Sequence, residues 1–226
     1  EVSLMALISE LYFKMTGSTA LTDNKRYNIN RSKAELFNMS GMKVADFGTR
    51  RRYSYENQDR VLDTFTKNNL HGWLIGTSNV HFAIKYGIKA IGTHAHEWFM
   101  YHGSTVGYRS ANTVGLNAWA SVYNGDLGIA LSDTFTTDAF LKDFDMKLSK
   151  LFDGVRHDSG DPIEFANKMI NHYELLRIDP NTKTIVFSDA LSFDKAKEIY
   201  DFCSRKIKCS FGIGTNFTND LDDIKP

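Results

Sequence analysis

Two histidines and a glutamate lie close together in residues 92–98, which read Gly-Thr-His-Ala-His-Glu-Trp. In a β-strand, His94 and His96 would lie on the same face, and two imidazoles so placed suit zinc. One imidazole beside a carboxylate, here Glu97, also suits a catalytic histidine. An acidic residue at this point is equally compatible with the start of a helix. Which of the three interpretations applies depends on the elements that position the segment.

Seven segments of the chain share one pattern, in which a short apolar run ends in a small polar motif before a helical stretch. They are KVADFGTRRR, GWLIGTSN, IKAIGTHAHE, LGIALSD, DGVRHDSGD, TIVFSDA and KCSFGIGTN. Apolar residues recur near helical spacing in residues 55–69, 162–178 and 194–205. Apolar strands alternating with helices predict an α/β fold with parallel strands, and seven repeats favour a β/α barrel over an open sheet.

The organisation of the chain predicts one α/β-barrel domain over residues 1–226, as the central part of a longer chain. The sequence starts abruptly with an amphipathic segment and has no initiator methionine. Residues 16–41 are the most polar stretch, and we expect a long loop or a helix-bearing excursion there. Asp161, Pro162 and Glu164 have the types and spacing of a helix N-terminus with a capping box. Ser192 is a second predicted N-cap.

Composition and charge exclude several classes of protein. Among 226 residues, 27 basic side chains balance 27 acidic ones, which gives no indication of a nucleic-acid partner or a membrane surface. No apolar run approaches the length of a bilayer span. The only two cysteines, Cys203 and Cys209, lack the spacing of a zinc ribbon and favour reduced thiols in the cytoplasm.

Polar side chains concentrate where the predicted strands end, and in a parallel barrel these ends surround one pocket. Arginines bind phosphate oxygens with two hydrogen bonds, a glycine-rich turn lets backbone amides approach a phosphate, and carboxylates suit ribose hydroxyls or magnesium. Together they predict a pocket for a phosphorylated sugar. The residues are Arg50, Arg51, Arg52, Ser78, Asn79, His94, His96, Glu97, Asp133, Arg156, Asp158, Ser159, Asp161, Ser188, Asp189, Gly212, Gly214, Thr215 and Asn216.

Each of these signals also has a purely structural interpretation. The glycine-rich turn alone is more often a tight turn, and a run of arginines is more often a solvated surface. Asp161 reads as a helix cap, which leaves Asp158 as the functional carboxylate of its motif. Asp189 is as compatible with a cap as with a ligand.

The motifs FGTRRR, GTSN, GTHAHEW, RHDSGDP, FSD and FGIGT, taken in order, resemble those of the nicotinate phosphoribosyltransferases. The resemblance extends from LISELYF near the start to FGIGTNFTND near the end. It implies the irregular α/β barrel of type II phosphoribosyltransferases, and an N-terminal domain and a C-terminal segment outside this chain. The implied reaction joins nicotinate to phosphoribosyl pyrophosphate in NAD biosynthesis, with magnesium and with ATP hydrolysis through a phosphohistidine. A cytoplasmic homodimer is also implied.

The resemblance assigns catalytic roles to three residues. His96 matches the histidine that is phosphorylated, and we expect Glu97 next to it to orient the imidazole or to tune its basicity. Asp158 matches the carboxylate that holds the ribose hydroxyls.

The resemblance assigns substrate binding to a second group of residues. Arg50 and Arg156 match cations near the pyridine and the sugar phosphates. Ser78 stands where the family that uses nicotinamide has an acid, so nicotinate is the expected substrate. The next strand-end loop and the 5′-phosphate cradle correspond to Ser188, Asp189, Gly212, Gly214 and Thr215.

Two alternatives from other classes stay open at this level. In a metal-dependent barrel hydrolase, His94 and His96 would bind zinc with His157 and Asp189. The arginine run and the GIGT turn argue against it, because a hydrolase does not require them, and we expect no stoichiometric zinc. The second alternative is a fragment that keeps the barrel but binds a phosphorylated sugar only weakly, without catalysis.

Overall fold

The computed structural model describes residues 2–16 and 23–220. These residues divide into two compact units. The first unit comprises residues 2–16, 23–91, 190–197 and 211–220, and the second comprises residues 92–189 and 198–210.

Helices and short strands alternate along the described residues, as the α/β prediction requires. The strands are β1 (Val44–Asp46), β2 (Leu74–Thr77), β3 (Ile129–Leu131), β4 (Gly154–His157), β5 (Thr184–Phe187) and β6 (Lys208–Ile213). The helices are α1 (Val2–Met15), α2 (Asp23–Ser40), α3 (Tyr55–Lys67), α4 (Val80–Tyr86), α5 (His96–Val106), α6 (Ala111–Tyr123), α7 (Thr137–Asp143), α8 (Met146–Leu151), α9 (Pro162–Leu175), α10 (Phe193–Cys203) and α11 (Thr215–Thr218).

In the first unit, β1 is the central strand and pairs in parallel with β2 and with the last residues of β6. Asp46 lies opposite Thr77 on one side and Ile213 on the other, so the carboxyl ends of the three strands are level. All three residues of β1 are buried, which is why the strand reads as apolar apart from its last residue. Aromatic rings fill the core, with Phe37 stacked on Trp73 at 5.0 Å between ring centroids.

In the second unit, β4 is the central strand and pairs in parallel with β3 and β5. Leu131 lies opposite Arg156, and His157 lies opposite Phe187. The first residue of β4 must be glycine, because a Cβ on Gly154 would lie 1.8 Å from the carbonyl oxygen of Thr184. Because His157 lies opposite Phe187, β4 and β5 end at the same level, and so the polar residues that follow them start at the same level.

One of the seven predicted strands, the third in chain order (residues 88–92), is not formed. This segment makes a single parallel bridge, between Ala90 and Thr77 at the end of β2. The bridge allows only two backbone hydrogen bonds, from Thr77 to Lys89 and from Ile91 to Thr77. The segment starts too close to the end of α4 to extend, because the amide of Ile88 still bonds to the carbonyl of Ala83. The two histidines that follow it therefore do not alternate as they would in a strand.

Most predicted helices are present, with shorter ends. The stretches 55–69 and 162–178 contain α3 and α9, and α10 begins one residue before the stretch 194–205 and ends within it. The polar stretch 16–41 carries α2, which confirms a helix-bearing excursion, while residues 17–22 of that stretch lie outside the described residues. Among the described helices, none combines the length and the hydrophobicity needed to span a bilayer.

Both predicted N-caps are confirmed. The carboxylate of Asp161 accepts the amide of Glu164 at 2.7 Å, and Pro162 occupies the first turn of α9. The hydroxyl of Ser192 accepts the amide of Lys195 at 3.2 Å. The capping box at α9 is only half formed, because the carboxylate of Glu164 pairs with Lys168 at 3.2 Å.

We predict that Asp161→Ala lowers the free energy of unfolding by about 1 kcal/mol, because the first amides of α9 lose their side-chain acceptor. Urea unfolding monitored by circular dichroism measures the effect. The matched control is Asn167→Ala, which changes an exposed residue in the middle of the same helix. An equal loss of stability in both variants would contradict the assignment of Asp161 as a cap.

Candidate active site

His96 is the first residue of α5 and lies among polar side chains of the second unit. Its Nδ1 is 3.1 Å from the hydroxyl of Thr134, and its Nε2 is 3.2 Å from a carboxylate oxygen of Asp158. A carboxylate oxygen of Asp133 is 3.9 Å from the same Nε2. The imidazole is 38% exposed, so it is held on both sides and still accessible.

The neighbours of His96 determine where its proton lies. An ionised carboxylate can only accept hydrogen bonds. The proton of the ring therefore lies on Nε2, which donates a hydrogen bond to Asp158. The hydroxyl of Thr134 then donates to Nδ1, which keeps its lone pair. In this arrangement Nδ1 is the nucleophilic nitrogen, and the carboxylates stabilise the positive charge that the ring gains when Nδ1 forms a bond.

Arg156, near the end of β4, connects several loops of the second unit. Its guanidinium is 2.7 Å from Asp158 and donates to the hydroxyls of Ser188 and Thr93, each at 2.8 Å. Ser188 in turn donates to Asp158 at 2.7 Å. The structure thus brings together three of the predicted site residues. The side chain of Arg156 is only 16% exposed and already bonds to Asp158, Ser188 and Thr93. Its main role in this structure is therefore to hold Asp158 in place.

Asp133, which follows β3, was a strand-end residue without an assigned role, and the structure places it beside His96. One carboxylate oxygen accepts a hydrogen bond from Ser159. The other is buried and, among the described residues, has no hydrogen-bond partner. A buried acceptor without a donor is rare in native proteins and commonly marks a place for a ligand, an ion or a water. Its strand-end position was the sequence signal for it.

His94 lies in the hydrophobic interior, so its interpretation as a second metal-competent imidazole at the site is wrong in this structure. The ring is 2% exposed, 4.2 Å from the ring of Trp119, and its Nδ1 accepts the amide of Leu131 at 3.4 Å. Burial, and to a smaller extent the charge of Arg156, lower the pKa of His94 to about 4. His94 lies in the interior, and His96 in the polar cluster, because the backbone of residues 91–95 is irregular and the two side chains do not share a face.

The other proposed zinc ligands are also dispersed. His157 is buried between the rings of Phe165 and Phe187, and burial lowers its pKa. Asp189 is half-buried after β5. Within residues 2–16 and 23–220, no three His, Cys, Asp or Glu side chains form a group that could hold a metal ion. Glu97 is exposed in the first turn of α5, where its charge favours the helix start, and Asp158 and Thr134 hold the His96 ring instead.

In the first unit, the three consecutive arginines have different environments. Arg52 is paired with Glu10 of α1 at 2.9 Å, and both side chains are nearly buried. Arg50 and Arg51 are exposed in a short 3₁₀ helix (Thr49–Arg51). They line a cavity of about 510 Å³ together with Met5, Ile8, Ser9, Tyr12 and Phe13 of α1. Arg50 and Arg51 are therefore the members of the run that are accessible to an anion.

Ser78 is exposed directly after β2, and its amide donates to the carbonyl of Asp46 at 2.8 Å. The loop that carries Ser78 is thus attached to the strand that leads to Arg50. Both residues, which were predicted to contact the substrate, lie at the carboxyl ends of neighbouring strands of the first unit.

Gly212 near the end of β6 and Gly214 just after it make room for the ring and the backbone of Phe47. A Cβ on Gly212 would lie 2.5 Å from the ring of Phe47, and one on Gly214 would lie 3.2 Å from the Phe47 carbonyl oxygen. Thr215 begins α11, which has only four residues. The close approach of Phe47 is a packing reason for the GIG sequence, separate from the predicted phosphate cradle, which stays a prediction.

Comparisons with known proteins converge on one family. The model of the nicotinate phosphoribosyltransferase (NAPRTase) family matches residues 42–225. A Chromohalobacter salexigens protein named nicotinate phosphoribosyltransferase is 53% identical over 98% of this chain and 56% of its own length. A Methanosarcina acetivorans protein of the same name is 46% identical over 98% of the chain and 58% of its own. The chain thus spans a little over half the length of these relatives.

A solved structure gives the same match for the fold. The crystal structure of nicotinate phosphoribosyltransferase from Porphyromonas gingivalis superposes with a TM-score of 0.96 at 45% identity. The superposition covers 100% of this chain and 58% of that one. The predicted fold class is therefore confirmed.

We predict that the free energy of unfolding falls as the pH drops from about 6.5 to about 4, because the unfolded His94 takes up a proton there and the folded one does not. The contribution is at most about 3.5 kcal/mol, since one pKa unit corresponds to about 1.4 kcal/mol. Urea unfolding across this range, on wild type and His94→Leu, measures it. The same pH dependence in both proteins would refute the role of His94.

Proposed function

The chain belongs to the nicotinate phosphoribosyltransferase family, and we propose that the whole protein joins nicotinate to phosphoribosyl pyrophosphate, giving nicotinate mononucleotide and pyrophosphate. The observation that carries the proposal is the His96–Asp158–Arg156 cluster, in a chain whose relatives bear that name. The reaction belongs to NAD biosynthesis, and we propose a cytoplasmic homodimer as its setting.

The proposed reaction requires no general base. The lone pair of the pyridine nitrogen forms a bond to C1 of the ribose while the C1–oxygen bond to pyrophosphate breaks, and no proton is transferred. Positive charge develops on the ribose and negative charge on the leaving group, so the enzyme orients the reactants and stabilises separated charge. Asp158 is the carboxylate for the ribose hydroxyls, and Arg156 holds it in a fixed orientation.

Asp133 and Asp158 fit Mg²⁺ as a cofactor. The buried oxygen of Asp133 lacks a hydrogen-bond partner among the described residues, and oxygen is the donor that Mg²⁺ prefers. Mg²⁺ is commonly held by one or two carboxylates together with substrate phosphates. When bound, the ion would neutralise negative charge on the pyrophosphate.

ATP is the proposed second co-substrate, with His96 as the phosphate acceptor. The P–O bond to ADP breaks as the His96 nitrogen forms the P–N bond. The hydroxyl at Nδ1 and the carboxylate at Nε2 support this role, because they orient the ring and the proton lies on Nε2, away from the reacting nitrogen. Of the two roles expected for Glu97, we propose only that its charge, in the same helical turn, tunes the basicity of the His96 imidazole.

Substrate binding is assigned to the remaining strand-end residues. Arg50 is the proposed partner of the nicotinate carboxylate, and Ser78 a neutral donor beside it. The phosphate groups are assigned to the loops that contain Ser188, Asp189, Gly212, Gly214 and Thr215.

We predict that His96→Ala in the full-length protein lowers the ATP-stimulated rate of nicotinate mononucleotide formation by about tenfold or more, while a slower ATP-independent reaction persists. Turnover with and without ATP, with phosphate incorporation from labelled ATP, measures it. His71→Ala, which removes an exposed histidine, is the matched control. His94→Ala is unsuitable because it creates a cavity. Phosphate incorporation that survives in His96→Ala would overturn the assignment.

We predict that Ser78→Asp weakens the use of nicotinate on the order of 10²-fold, because a carboxylate at this position repels the substrate carboxylate. Competition kinetics with nicotinate and nicotinamide give the ratio of kcat/KM for the two pyridines. Ser204→Asp adds the same charge at an exposed serine elsewhere and serves as the control. An unchanged ratio in Ser78→Asp would place specificity outside this residue.

A further inference from the structure

Asp46 is a fully buried carboxylate at the end of β1, with no solvent exposure. One of its oxygens accepts the amide of Gly48 at 2.9 Å. The other accepts the hydroxyl of Thr77 at 2.7 Å and the side-chain amide of Gln58 at 3.0 Å. Burial raises the pKa of Asp46, and these hydrogen bonds act in the opposite direction.

Two of the three donors to Asp46 lie next to the proposed nicotinate ligands, and the third, Gln58, belongs to α3. Gly48 is two residues before Arg50, and Thr77 immediately precedes Ser78. The backbone of Asp46 adds a further connection, since its carbonyl accepts the amide of Ser78 at 2.8 Å. One residue therefore bonds to both loops through its side chain, and to the Ser78 loop through its main chain as well.

A second set of hydrogen bonds connects the same loops. The hydroxyl of Thr49 accepts hydrogen bonds from the side-chain amides of Gln58 at 2.9 Å and of Asn79 at 3.1 Å. The hydroxyl of Thr77 accepts the amide of Asn79 at 3.1 Å while it donates to Asp46. These groups are buried or partly buried. Removal of the Thr77 hydroxyl would take one of two donors from the Asp46 oxygen and would leave the backbone amide of Asn79 without its acceptor.

An aspartate is needed for this arrangement because both of its oxygens accept hydrogen bonds. The amide of Gly48 is a backbone donor and cannot reverse, and the other oxygen faces two more donors. An asparagine would present an NH₂ group on one side, against at least one of those donors. Burial of a carboxylate is costly unless it is fully hydrogen-bonded, so its presence in the interior calls for an explanation beyond packing.

We propose that Asp46 is a positioning residue for pyridine recognition, which fixes the Arg50 and Ser78 loops relative to each other through the hydroxyl of Thr77 and the amide of Gly48. This inference rests on the proposed function for its substrate, and on the hydrogen bonds alone for its mechanical part. Asp46 and Thr77 have no exposed surface, so they act through the loops rather than by contact with substrate.

The test uses a pair of variants at Thr77 in the full-length protein. Thr77→Val has nearly the same shape but no hydroxyl, whereas Thr77→Ser keeps the hydroxyl. We expect Thr77→Val to raise the KM for nicotinate about tenfold, with the KM for phosphoribosyl pyrophosphate within about twofold of wild type. Thr77→Ser should stay within about twofold of wild type for both substrates. Equal KM values for nicotinate in the two variants would overturn the proposal.

Amide hydrogen exchange of the same variants gives a readout that does not depend on activity. We expect faster exchange in Thr77→Val for residues 47–52 and 76–80, unchanged exchange for residues 154–158 and 184–188, and wild-type exchange throughout in Thr77→Ser. Faster exchange along the whole chain, or none in these two loops, would refute the positioning role. A wild type that does not convert nicotinate would refute the proposed function, and exchange would still decide the role of Asp46.

Discussion

The ion pair between Arg156 and Asp158 holds the polar cluster of the second unit in place. Both side chains are largely withdrawn from solvent, so separating them would leave two poorly solvated charges. The planar guanidinium uses its remaining donors on Ser188 and Thr93, which fixes the segments after β5 and before α5. Asp158 is thereby oriented with its second oxygen towards His96. The tautomer of the imidazole, and hence the nitrogen that would accept phosphate in the proposed reaction, follows from this one interaction.

The same structural solution occurs in both units at the ends of parallel strands. Asp46 accepts a hydrogen bond from the hydroxyl of Thr77 at the end of β2. In the same way, Asp158 accepts a hydrogen bond from the hydroxyl of Ser188, which follows β5. In each case a backbone amide adds to the contact, from Ser78 to Asp46 and from Ser188 to His157. Parallel strands that end level make this pairing possible, because the residues that leave the ladder together are already within hydrogen-bonding distance.

Sequence patterns predicted those features that depend on local periodicity or on short motifs. The α/β class, three amphipathic helices and the caps at Asp161 and Ser192 all follow from such signals. The orientation of His94 did not, because an HxH spacing predicts a strand and residues 91–95 have irregular backbone. The difference between Arg52 and its neighbours depends on Glu10, which is 42 residues away. Asp46 gave no signal either, since its partners come from other segments and its type alone does not reveal burial.

The exposure of the side chains around His96 agrees with the role proposed for it as a phosphate acceptor. The carboxylates at Nε2 are 10% and 21% exposed, whereas the imidazole is 38% exposed. Partial burial strengthens the electrostatic interaction on the side of the ring that only holds a proton. On the other side of the ring, Nδ1 is hydrogen-bonded to the hydroxyl of Thr134. A fully buried imidazole such as His94 has neither property, because burial suppresses its protonation and the packed rings exclude a reactant. Two residues along the chain, His96 occupies the environment in which an imidazole can act as a nucleophile.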